Sequence, residues 1–346
     1  MNVMVKGWCP GALRPMPSGD GLLVRVRPWC SAFSLEQAAG LADVADQLGN
    51  GHMDLTRRAN LQIRGLREES LPELHKRLDR LGLLDADPAA EAARNVMVGP
   101  LADSQTRSLA ALLSQSIATE HRLAVLPPKF GWLVDDAGAP TIVDQRADVA
   151  LCLTGDGVAL RRGERWLGLT SLGEAIAASF ALALGEKPAF APLKSVPVAG
   201  LRPQGVTPPF GRLEASQLFA LAELAARAGA AEIRLSPWRT LYTDVPARDA
   251  GKLGFIVDDD DPRLRIEACP GAPACSSSTV DTRAVALGLV ARGFEGTIHV
   301  SGCAKGCARS APADLVLVGI HGRFGAIRNG TARDPVEASL APEDLV

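Results

Sequence analysis

The chain has 346 residues, 47% of them hydrophobic, enough to bury a large core and to form two or three domains. A formal net charge of −2 gives no electrostatic footprint for nucleic acid or a membrane surface, and no run of about 18 uncharged apolar residues is present to cross a bilayer. Seven cysteines, an odd number, and an opening Met1–Pro10 without an apolar leader core give the expectation of a reducing cytoplasm.

In chain order, Pro15–Gly21 is rich in turn formers and Leu22–Arg27 reads as a strand. Ser34 and Gln37 form a capping box for a helix to Leu48, stopped by Gly49. Met53–Arg58 and Leu61–Arg64 alternate as strands around a short turn. Ser70 caps the next helix, with Pro72 in its first turn and Gly82 as its stop. A second αβ region follows. It comprises Arg94–Val98, a helix over Ser104–Thr119, strands at Leu123–Leu126, Trp132–Asp135 and Val149–Thr154, and a helix over Ser171–Leu184. Gly155-Asp-Gly157 lacks the third glycine of a nucleotide loop and reads as a turn.

The plan then recurs. Leu41–Gly49 aligns without gaps on Leu221–Gly229, an offset of 180 that also brings Leu55 onto Leu235 and Leu61 onto Leu241. The proline-rich 186–212 reads as an extended linker between the copies. After the second copy come a helix over Thr279–Arg292 and strands at Thr297–Ser301 and Leu315–Ile320. Asp258–Asp261 reads as a solvated turn, because adjacent side chains do not converge on one ion.

Four cysteines are grouped as Cys269-x5-Cys275 and Cys303-x3-Cys307, in backbone of small residues such as Gly271, Gly302 and Gly306. Thiolates are soft ligands, and four of them suit zinc or an iron–sulfur cluster. The first pair is wider than a zinc knuckle, so the spacing predicts a 4Fe-4S site; zinc, or four buried structural thiols, is the rival. Cys152 lies in an apolar run and reads as core packing.

The first half carries a basic constellation. Arg57, Arg58 and Arg64 fall in one strand–turn–strand, with Thr56, Gln62 and Arg64 on one face. Arg94-Asn95 precedes an apolar stretch, and Lys129 follows two prolines. Fixed guanidinium forks suit a polycarboxylate ligand; ordinary surface charge is the alternative.

Together these features resemble the sulfite/nitrite reductase superfamily. Thr56-Arg-Arg58-Ala-Asn60-Leu-Gln62-Ile-Arg64-Gly65 is similar to its T-T-R-x-x-x-Q-x-x-G motif, Arg94-Asn95 to its R-N motif, and Pro128-Lys129-Phe130 to its lysine turn. The resemblance implies an α+β fold of duplicated ferredoxin-like half-domains with two αβ domains. The expected division is 1–85 and 186–260 for the half-domains (the latter with the linker), 86–185 for a tetrapyrrole-side domain and 261–346 for a cluster domain. It implies that Cys269, Cys275, Cys303 and Cys307 hold a 4Fe-4S cluster, with Cys307 bridging toward a tetrapyrrole centre. It also implies that Arg58, Arg94 and Lys129 act at the distal face of the ring, which Asn60, Gln62, Arg64 and Asn95 help to bind.

Sulfite reductases of this superfamily carry a second lysine where this chain has Gly131. The segments around Cys9-Pro-Gly and Leu126–Trp132 look most like the branch of precorrin-3B synthases of aerobic cobalamin biosynthesis. That branch implies a monooxygenase acting on precorrin-3A with O2, closing a lactone, and drawing electrons from a separate reductase, since no nicotinamide or flavin motif is present. It also implies a second iron centre, non-haem iron or siroheme, whose ligands the five histidines do not reveal. The alternative is a siroheme-dependent sulfite or nitrite reductase; an electron carrier or a zinc-stabilised module is the non-enzymatic alternative.

Overall fold

A computed structural model describes residues 9–136, 138, 140–193 and 204–345. The fold is α+β, with four sheets in two related pairs. The middle of the proline-rich linker, 194–203, lies outside the described residues.

The first repeat forms an antiparallel sheet in the order Met16–Ser18, Gly21–Val26, Leu61–Leu66, His52–Leu55, and its last place is taken by Arg212–Glu214 from the second repeat. In return Ala32–Ser34 of the first repeat pairs with Glu232–Leu235 of the second, which pairs onward with Leu241–Tyr242. The two halves therefore exchange one short strand each. The apolar faces of Leu35–Leu48 and Ala215–Arg227 pack on each other in a shared core containing Leu41, Val44, Leu218 and Leu221.

The offset of 180 extends to backbone detail. Ser34 with Gln37 and Glu214 with Gln217 form the same capping box. Cys30 and Ser31 have positive φ, and so do Phe210 and Gly211; Ala59 and Arg239 do likewise in the strand-connecting turns. A left-handed non-glycine residue costs about 1–2 kcal/mol, so its recurrence at matched positions marks one turn design used twice.

Each repeat is followed by an αβ layer of one topology. Val96–Val98, Trp132–Asp136 and Val149–Thr154 run parallel, then Gly157–Arg162 and Arg165–Thr170 return antiparallel. Ile266–Ala268, Ile298–Ser301 and Ala313–Ile320 likewise run parallel, followed by antiparallel Arg323–Gly330 and Ala338–Leu340.

Local expectations differ in places. Leu123–Leu126 is not a strand; His121–Val125 is a 3-10 turn, since four mixed residues carry no reliable period. Ser70 gives no side-chain cap, because its hydroxyl is spent on the Arg67 and Leu48 carbonyls. Cys152 is fully buried beside Val143 and Ala159; burial, then Asp135 and Asp136, push its thiol up to about 12.

Candidate functional site

The cysteine loops leave the C-terminal ends of two adjacent parallel strands, Ile266–Ala268 and Ile298–Ser301, the end at which open α/β sheets bind ligands. The Gly302 N–H donates to Cys269 Sγ at 3.1 Å, and Thr282 Oγ1 donates to the Cys269 carbonyl at 2.6 Å. A side chain at 302 would overlap Ser278 and reach within 3.5 Å of Cys269 Sγ, so only glycine lets the loops close. Burial raises the Cys269 thiol, against the N–H groups of Gly302 and Gly271. Cys307 keeps an exposed edge, yet the surrounding chain and then Cys269, Cys303 and Cys275 push its thiol up to about 11.

The other three cysteines all act on Cys307. Among the described residues, however, no three His, Cys, Asp or Glu side chains come together closely enough to hold one metal ion. A tetrahedral zinc needs all four donors about 2.3 Å from one point. Four soft thiols, N–H donors aimed at sulfur and a small-residue bed fit a cube with one thiolate per iron corner better than a single ion.

The basic residues divide into two sets. Arg58 Nη1 donates to the Lys129 carbonyl at 2.8 Å, and Asn60 Nδ2 to Asn95 Oδ1 at 3.0 Å. Gly131 lies between, so a Cβ there would be 3.5 Å from Arg58 Nη1 and 3.4 Å from Asn95 Nδ2. Gln62 Oε1 accepts from Arg25 Nη2 at 2.8 Å. Burial, with Arg58 adding repulsion and Cys9 opposing, holds the Arg25 guanidinium below its ordinary value. Arg58, Asn60, Asn95 and Lys129 thus cluster around Gly131, with Lys129 exposed on this face, Arg58 and Gln62 half-buried, and Asn60 and Asn95 buried.

Arg64 and Arg94, both expected at the ring, are turned toward carboxylates of the protein itself. Arg94 is 2% exposed and bidentate to Asp85 at 2.6 and 2.8 Å; it also donates to the Arg27 carbonyl and stacks 4.0 Å from the Trp29 ring. Arg64 is equally buried and turns to Asp20 and Asp54. Alternation fixes the side of a strand a residue faces; it does not name the carboxylate waiting there.

Arg57, read from sequence as one of three arginines in the strand–turn–strand, ties this face to the cysteines together with residues not singled out from sequence. Arg57 pairs with Glu267, and its Nε donates to the Ala308 carbonyl at 2.7 Å, one residue past Cys307. Arg239 donates to the same carbonyl at 3.1 Å, and Arg309 pairs with Glu267 at 2.7 Å. A cleft of about 240 Å³ lies among them. Arg25 lies in the strand read at Leu22–Arg27 without a separate mark, and Arg57 stood in the basic constellation without an assigned role.

His299 lies in register with Glu267, fully buried beneath Gly306, and neither ring nitrogen has a partner among the described residues. Burial holds it down at about 4, against Glu267 and with Arg309. The unfolded ring titrates near 6.5, so between pH 6.5 and 4 the unfolded chain takes up a proton that the folded chain refuses. Stability is expected to fall as pH drops through that window, by on the order of 3 kcal/mol. Denaturant midpoints against pH should show this decline in the wild type and a flatter one in His299→Leu; equal slopes would refute it.

The sequence matches the family described as "Nitrite/Sulfite reductase ferredoxin-like half domain" over residues 14–81 and 204–253, which lie within the two repeats. It is 31% identical to "Precorrin-3B synthase" of Sinorhizobium sp., covering 95% of this chain and 84% of that one. It is 23% identical to "Sulfite reductase [ferredoxin] 2" of Mycolicibacterium paratuberculosis, covering 86% and 69%. Among solved structures, the Mycobacterium tuberculosis NirA protein superposes with a TM-score of 0.70 at 21% identity, covering 94% of this chain and 78% of that one; at that identity the likeness speaks to the fold.

Proposed function

The chain belongs to the precorrin-3B synthase family within the nitrite/sulfite reductase superfamily, a family of oxidoreductases, and from that premise we propose that it hydroxylates precorrin-3A with O2 and closes a lactone from a neighbouring acetate arm. The four-part division at 85, 185 and 260 belongs to this reading, as does a cytoplasmic setting. One oxygen atom enters the ring; the other leaves as water, using two protons and two electrons from a separate reductase. The cluster on Cys269, Cys275, Cys303 and Cys307 supplies those electrons singly when bound.

The chain's own residues bind and orient. Arg58 and Lys129 take ring carboxylates, and the amides of Asn60, Gln62 and Asn95 set its rotation, so that one meso carbon is presented. Arg94, next in the chain to Asn95, holds that segment through its pair with Asp85. The observation that supports the reading is glycine at position 131, flanked by Arg58 and Asn95. A second lysine there would concentrate charge for a small oxyanion; without it the cations suit a larger polyacid whose carboxylates are spread apart. The second iron centre, whether siroheme or iron without haem, would occupy the same face.

Incubation of reconstituted protein and reductase with precorrin-3A under ¹⁸O₂ tests the proposal. The expected product carries one heavy atom, and an unlabelled product overturns it. A siroheme spectrum with viologen-driven reduction of sulfite or nitrite would instead favour the reductase reading.

A further inference from the structure

We infer that Ser18, Gly19 and Arg64, all from the N-terminal repeat, are positioning residues of the cysteine site, holding the Cys269–Cys275 loop through the single carbonyl of Ala274. The inference rests on the cluster assigned to these cysteines above. That carbonyl accepts from Ser18 Oγ at 2.7 Å, from the Gly19 N–H at 3.3 Å and from Arg64 Nη2. Ala274 immediately precedes Cys275, so its three donors fix the backbone that aims the thiol.

Arg64 is held in this position by further partners. Nε and Nη2 also reach Asp20 at 2.8 and 2.9 Å, and Nη1 reaches Asp54 at 3.2 Å. All three nitrogens of the fork are engaged in a site 2% exposed. Asp54 in turn accepts from Arg283 at 2.7 Å, on the helix Thr282–Ala291, so a second bond draws the cluster domain to the same sheet. Gly19 supplies the close approach. A side chain there would overlap the Pro273 carbonyl oxygen and come 3.0 Å from Ser276 N, pushing the hairpin off the loop.

Charge adds to position. Arg64 bonds the carbonyl of the residue before Cys275, so its cation is set beside that ligand. A buried cation beside a thiolate ligand favours the more negative, reduced state of whatever that ligand holds. Arg64 also shares the strand Leu61–Leu66 with Gln62. The segment that presents the ring-facing amide therefore grips the cysteine loop two residues later, and the C-terminal domain alone lacks part of its own site.

The test uses the full chain, reconstituted anaerobically with iron and sulfide, as wild type, Arg64→Gln, Arg64→Lys and Gly19→Ala. Arg64→Gln should shift the oxidised-to-reduced ratio at a fixed potential about tenfold toward oxidised, ~59 mV for one electron. Arg64→Lys keeps the charge and should shift it less than half as far. Gly19→Ala should leave the midpoint in place and release iron to a chelator about tenfold faster. Wild-type midpoint and release rates in both Arg64→Gln and Gly19→Ala overturn the inference. If Arg64→Gln does not fold, the release rate of Gly19→Ala decides alone. In metal-free protein the same clamp should make Cys275 alkylate with iodoacetamide about tenfold faster in Gly19→Ala than in wild type. A wild type that takes up no iron yet shows this difference overturns the cluster assignment and leaves the clamp standing; without the difference, both fall.

Discussion

Cys303→Ser is expected to leave a folded chain that holds far less than four irons and forms precorrin product at least ~1000-fold more slowly, about 4 kcal/mol of barrier. The fold should survive because Cys303 is only half-buried and its loop is anchored independently, by Ser301 Oγ donating to the Cys303 carbonyl at 2.7 Å. Serine keeps that geometry and removes the soft donor, so what is lost is ligation. Cys152→Ala is the control. That thiol is buried among Val143 and Ala159, so removing it should cost about 1 kcal/mol of stability and leave iron and turnover unchanged. Iron and labile sulfide per chain, with product by mass spectrometry, separate the outcomes. A Cys303→Ser protein with zinc lost and turnover intact would return the site to a structural metal. Full iron and full turnover would remove Cys303 from the site.

What was legible in sequence follows from what short-range chemistry can write. The capping box at Ser34 and Gln37, the glycine stops and the offset of 180 are local signals, and the structure repeats them down to the positive φ of Ala59 and Arg239. The exchange of Ala32–Ser34 and Arg212–Glu214 between the halves left no such mark. Three residues are too few to show a period, and their partners lie about 160 to 200 residues away. The strands Gly157–Arg162 and Arg323–Gly330 escaped for another reason. Both mix arginines with glycines and alanines, a composition that reads as turn. The cysteine spacing was readable because ligation demands it; the companions of Arg64 and Arg94 were not, since a buried guanidinium and a ligand-facing one look alike in a string of letters.

That last distinction sets the largest expected loss of stability. Arg94→Ala should cost 3–5 kcal/mol, roughly, because it strands the Asp85 carboxylate in a site only a few per cent exposed and strips the Trp29 ring of its cation. The thermal midpoint should fall by several degrees, and the loss should appear in the metal-free protein as fully as in the loaded one. Arg58→Ala should behave in the opposite way. Arg58 is half-buried and fixed to the protein by its hydrogen bond to the Lys129 carbonyl, so its removal should cost about 1 kcal/mol of stability but 1.5–3 kcal/mol of tetrapyrrole affinity, tenfold or more in Kd. Pairing Arg94→Met with Asp85→Leu removes both buried charges together, and most of the lost stability should return, because an apolar pair of similar volume escapes the desolvation that an orphaned carboxylate suffers. If instead Arg94→Ala melts like wild type and weakens ring binding as much as Arg58→Ala does, the arginine faces the ligand and the Asp85 pair is incidental.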